Sequence, residues 1–304
     1  MMTLIMLLCS GLGTEALATD YYYVINIDRS GSMGSAVTAI YPDCPNATSR
    51  LEVARCMAKK HVQSIRSGPN KHYAVMYFDS NGLIVVQPFT TNKTLIYNAI
   101  DAVPGPGDYT PLADAMCKGL TDLNAEAGED DGKYLFTYTD GFENDSRGGQ
   151  GECDVCDGLI GRWESDCDLD NAVTCNPWQL CLKDVFADPD KGAHLFYYFG
   201  DPIRKDQYDL LPPHVQKDID LNAQGAKADY VFWQQVVDSS GGDFAYVSDN
   251  DSTIPEVPPQ VQDPDNQDPT RVPGLRLWGI MALIGIMVTA TAIVVRRKTG
   301  SIRS

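Results

Sequence analysis

The sequence predicts a doubly wound α/β fold, a mostly parallel sheet with helices on both faces. Two observations predict it. Apolar runs of strand length alternate with stretches of helical periodicity, and several of these runs are too continuously apolar for a sheet with one face in water. Two of the strands also end in a carboxylate, Asp28 and Asp140, and open α/β sheets hold their sites at the carboxyl ends of strands.

Strands are expected over residues 21–27, 73–78, 83–88, 134–139, 194–199 and 244–247. Helices are expected over residues 49–65, 94–103, 111–124 and 229–237. Ser49 and Glu52 stand at the spacing of a capping box, which places the first helix start there and leaves a long loop over residues 34–48. The segment 78–83 fits a hairpin between the second and third strands. Residues 19–250 thus form one domain, long enough to bury a substantial core.

The first strand closes in Asp28-Arg29-Ser30-Gly31-Ser32. A carboxylate followed at alternate positions by two serines sends three oxygens into one small volume when the chain turns sharply, and Gly31 permits that turn. Oxygen-only ligation suits a hard divalent cation, which needs more donors than these three. Thr110, just before Pro111 in the first turn of a helix, and Asp140-Gly141, at the end of another strand, are the partners further along the chain.

In order and context, Asp28-x-Ser30-x-Ser32, Thr110 and Asp140-Gly141 closely resemble the metal-ion-dependent adhesion site of the von Willebrand factor A family. The resemblance implies that Ser30, Ser32 and Thr110 bind the ion directly or nearly so, while Asp28 and Asp140 act largely through bound waters. Magnesium is the first expectation, with manganese and calcium as alternatives. One coordination position is left for an Asp or Glu of a protein partner. The resemblance also implies that the third strand is an antiparallel edge.

Nine cysteines are present, and Cys9 lies in an apolar leader. The remaining eight, Cys44, Cys56, Cys117, Cys153, Cys156, Cys167, Cys175 and Cys181, are even in number, which in an exported chain favours disulfides. Cys44 and Cys56 are candidates for a local bridge. Five of the eight crowd into an insertion over residues 144–182 that shows little periodicity, so one must pair outside it, and Cys117 is the nearest candidate. A zinc cluster or a redox pair at Cys153-x-x-Cys156 is the weaker alternative in that context. The insertion's acids could hold a second calcium, but their spacing matches no EF-hand loop. By position the insertion shapes the rim of the site.

Residues 1–18 read as a signal peptide ending in Ala16-Leu17-Ala18, although without a basic amino-terminal region. Residues 251–273, rich in Pro, Asp and Gln, read as an extended spacer. Residues 277–295 then carry no charge and are long enough to cross a bilayer, and Arg296-Arg297-Lys298 should stay cytoplasmic. Val272-Pro273, Trp278-Gly279 and that basic end look like bacterial sorting tails cut by exosortase-type enzymes. The tail over residues 274–304 therefore either anchors an extracytoplasmic domain at the cell envelope or is processed to release it. A formal net charge of −17 excludes a general nucleic-acid binder, since phosphate backbones would be repelled. No His-Glu-x-x-His helix or glycine-rich phosphate loop is present, and His61, His72, His194 and His214 stand in no recognisable relation to Ser30. The expected function is metal-dependent binding of a protein ligand, not catalysis. A surface protein with a purely stabilising metal, and less readily a metal-dependent hydrolase, are the alternatives.

Overall fold

The computed structural model describes residues 19–140, 146, 153, 155–156, 175, 177–189, 192–200, 226–247 and 254–264. Six strands form one sheet: β1 (Tyr21–Asp28), β2 (Lys71–Asp79), β3 (Gly82–Thr90), β4 (Gly132–Thr139), β5 (His194–Gly200) and β6 (Asp243–Val247). Among the described residues, the helices of eight residues or more are α1 (Arg50–Ser64), α2 (Lys93–Ala102), α3 (Leu112–Glu126), α4 (Pro177–Ala187) and α5 (Ala226–Ser239).

The spatial order is β3-β2-β1-β4-β5-β6, parallel throughout except for the β2–β3 pair. The β2–β3 hairpin turns between Asp79 and Gly82, which pair with each other; Gly82 sits at φ +98°, where a side chain would be strained. The chain leaves β1 toward β2 on one side and later returns to place β4 on the other. Such a reversal opens a crevice at the carboxyl ends of the two central strands, and Asp28 and Asp140 stand on its two sides.

Alternation along the strands divides the core between two faces. On one face Val24, Met76, Leu135 and Leu195 pack with Leu112, Met116 and Leu120 of α3 and with Leu182 and Trp233 of α4 and α5. The opposite face is aromatic. Tyr23 stacks between Tyr73 and Tyr134, each 5.0 Å away between ring centroids, and Tyr138 stacks on Tyr198 at 4.9 Å. His61 of α1 lies 4.5 Å from the Tyr198 ring and is buried. Its Nδ1 is 2.9 Å from the Tyr138 hydroxyl and its Nε2 is 2.8 Å from the Pro255 carbonyl. Burial pushes its pKa down to about 4, so the imidazole is neutral near neutral pH and Nε2, facing a carbonyl, is the protonated nitrogen.

Two features differ from the expectations. α4 begins inside the insertion that showed little periodicity, although Pro177 can open a helix and Trp178, Leu182 and Phe186 recur every fourth residue on its buried side. The stretch expected as a spacer also begins packed: Val257 is buried and the Pro255 carbonyl is the one held by His61. An extended, proline-containing chain can still bury an apolar side chain that falls against a helix.

The chain divides into two units, residues 1–258 and 259–304, and the described part of the second contains one helical turn, α6 (Pro259–Gln262). Among the described residues no helix is long and apolar enough to cross a membrane. The expected leader, the apolar span at 277–295 and its basic end lie outside the described residues.

Disulfides join Cys44 to Cys56, Cys117 to Cys153, and Cys156 to Cys181. Cys175 is also disulfide-bonded, and Cys167 lies outside the described residues. The Cys117–Cys153 bridge ties the insertion to α3, the helix that follows Thr110.

Candidate functional site

The site begins where β1 stops. Beyond Asp28 the chain enters a single 3-10 turn, Gly31–Gly34, with Ser30 before it. Asp28 is fully buried: one carboxylate oxygen accepts from the Ser30 backbone N–H at 2.6 Å and the other from the Thr139 hydroxyl at 2.5 Å. The Ser30 and Ser32 hydroxyls are 3.2 Å apart, and Ser32 donates to Asp140 Oδ1 at 2.8 Å. Four of the expected residues thus form one hydrogen-bonded chain across the crevice, from Asp28 through Ser30 and Ser32 to Asp140.

Thr110 arrives on a separate loop. Gly31 N–H donates to the Asp108 carbonyl at 2.8 Å, and Gly107 N–H donates to the Arg29 carbonyl. A Cβ on Gly107 would lie 2.9 Å from Asp79 Oδ2, which leaves no room for a side chain, while one on Gly31 would lie 3.2 Å from the Gly107 oxygen, a tight contact against the same loop. Arg29 holds the assembly from the side. Its guanidinium pairs with buried Asp79 at 2.8 Å, donates to the Gly105 carbonyl at 2.9 Å and lies over the Tyr77 ring. These contacts carry buried Thr110 to the same edge of the sheet. Tyr109 beside it is 60% exposed and faces solvent at the rim.

Electrostatics set the site apart from ordinary core. Burial, and then the neighbouring charge of Asp140, push the Asp28 carboxyl up to about 7 against the hydrogen bonds from Thr139 and Ser30. Two carboxylates in one dry crevice repel each other unless a cation joins them. Arg50, the first residue of α1, supplies one positive charge, with Nη1 at 2.5 Å from Asp140 Oδ2. Among the described residues, Asp28 receives hydrogen bonds and no cation. With three hydroxyls and two carboxylates, the donor set is all oxygen, which suits a small hard dication. Among the described residues no group of three or more His, Cys, Asp and Glu is placed to hold a metal; this site would rest instead on hydroxyls.

Thr139 and Arg50 were not singled out in the sequence. Thr139 could have been found from its place beside Asp140 at a strand end. Arg50 carried only the signal of its capping box, which sets where α1 starts and hence where the guanidinium lies; the pairing itself spans 90 residues and depends on the assembled sheet.

An α/β domain with an oxygen-rich crevice at its switch point is the class these features define. A family model described as von Willebrand factor type A domain matches residues 23–143, and the chain carries such a domain there. Among solved structures the chain is similar to BatB of Bacteroides thetaiotaomicron, with 12% identity and a TM-score of 0.42 over 76% of this chain and 91% of that one. It is also similar to the PilB minor pilin of Streptococcus sanguinis, with 15% identity and a TM-score of 0.45 over 76% and 58% of the two chains. A third is the SpRpn10 VWA domain, with 12% identity and a TM-score of 0.42 over 84% and 97%. No curated protein matches the sequence.

Proposed function

We propose that this protein is an exported, envelope-associated binding module that captures a protein ligand through a divalent ion, magnesium in the first instance. Asp28, Ser30, Ser32, Thr110 and Asp140 hold the ion. The observation that carries this reading is the buried Asp28–Asp140 pair, whose mutual repulsion is met at Asp140 by Arg50 and, among the described residues, by no cation at Asp28. A dication would offset the remaining charge and supply a Lewis-acidic centre for an oxygen donor.

Each residue has a task in that reading. Thr139 and the Ser30 N–H fix the Asp28 carboxylate in one orientation, and Ser32 does the same for Asp140. Thr110, delivered from another loop, shapes the face on which the ligand's Asp or Glu lands. The proposed leader and tail place the domain outside the cytoplasmic membrane, either anchored or released by processing.

The test is capture of ligand from an envelope extract in magnesium and again in excess chelator, with wild type and Thr110→Ala. Loss of capture in chelator, and weakened capture by Thr110→Ala in magnesium, is the expected result. Equal capture by both proteins in both conditions would make any bound metal purely structural.

A further inference from the structure

We propose that Arg50 makes the metal-loaded site selective for anionic ligands, at the cost of weaker metal binding. This rests on the metal reading above and adds a specificity-determining residue to it. The Ser49–Glu52 capping box fixes the start of α1, and Glu52 is occupied there, accepting from Thr48 and Ser49. It is therefore directed to the cap, and Arg50 extends to Asp140. A cation at the first residue of a helix opposes the helix dipole, so the position is a poor one for Arg on local grounds. Its side chain is nevertheless only 15% exposed, and it lines an apolar pocket with Met33, Met57, Tyr138 and Tyr198. The stem packs while the guanidinium faces the crevice.

The charges define the consequence. Arg50 adds one positive charge beside Asp140 to the empty and to the metal-loaded site alike. Arg50 therefore repels the incoming metal and attracts the anion that follows, two effects of opposite sign from one side chain.

The experiment uses manganese alone and then acetate as a minimal carboxylate, followed by calorimetry and by water-proton relaxation of the manganese-loaded domain. Arg50→Gln should bind manganese on the order of tenfold more tightly, and its loaded form should bind acetate on the order of tenfold more weakly. Arg50→Lys keeps the charge and should stay near wild type in both. If Arg50→Gln moves both affinities in the same direction, or leaves both unchanged, the proposal is overturned. It is equally overturned if Arg50→Lys behaves like Arg50→Gln, which would point to packing alone. Wild type that binds no manganese would remove the metal reading itself and this inference with it.

Discussion

At Asp28 burial and charge conflict directly. Its pKa is raised above that of an unfolded aspartate, so between about pH 4 and 7 the metal-free folded chain binds more protons than the unfolded one. Its stability contribution is therefore greatest at low pH and is lost as pH rises through that window. Asp28→Asn should make the domain more stable in chelator at pH 8, by roughly 1 kcal/mol or more, as read by urea denaturation; a less stable variant would contradict the conflict. His61 has the opposite sign. Its depressed pKa means that stability is fully present above about pH 6.5 and is lost as pH falls toward 4, by roughly 3 kcal/mol. A His61→Gln variant should show a flatter profile over that range. On the two central strands, Asn26 and Thr137 pair in register and are buried with side-chain oxygens and nitrogen that have no hydrogen-bond partner among the described residues. Replacing both, Asn26→Leu with Thr137→Val, should raise the melting temperature, since each orphaned buried group costs about 1–3 kcal/mol.

The loops and strand ends determine whether these residues meet. The Asp28-x-Ser30-x-Ser32 spacing was legible because three of the donors lie within five residues of one another, where chain geometry alone brings them together. The strands were legible for a similar reason, since continuous apolar runs of strand length need no tertiary information. Arg29 and Asp79 were not, because their ion pair forms only once β1 and β2 lie side by side. α4 was not legible because it spans only 11 residues and its repeat of Trp178, Leu182 and Phe186 is too short to stand out as a helical period beside the crowded cysteines. The close approach of the 105–110 loop to β1 gives a prediction at this scale. Gly107→Ala forces a methyl against Asp79, which is buried and ion-paired and so cannot give way. The variant should lose about 1–3 kcal/mol, as overpacking does. Displacement of Thr110 would follow, visible as changed amide exchange in the loop with the β4–β5 core unaffected.

Across the whole molecule, the strand order does what no single motif can, bringing Asp28 and Asp140 from positions 112 residues apart to the two sides of one crevice. The sequence signalled the crevice through carboxylates at strand ends, but the order of the strands came only with the sheet itself. The Cys117–Cys153 bridge then couples the insertion to α3 beside the site, closing a loop of separation 36. Replacing both cysteines by serine should cost about 2–4 kcal/mol. The central claim is that this arrangement holds a divalent ion, and the most direct test is calorimetric titration of magnesium and manganese at pH 8 into wild type and Asp28→Asn. The account predicts one ion per wild-type chain and none in the variant, with the variant still folded by circular dichroism. Unchanged affinity in a folded Asp28→Asn domain, or a wild type that takes up neither ion, would contradict it.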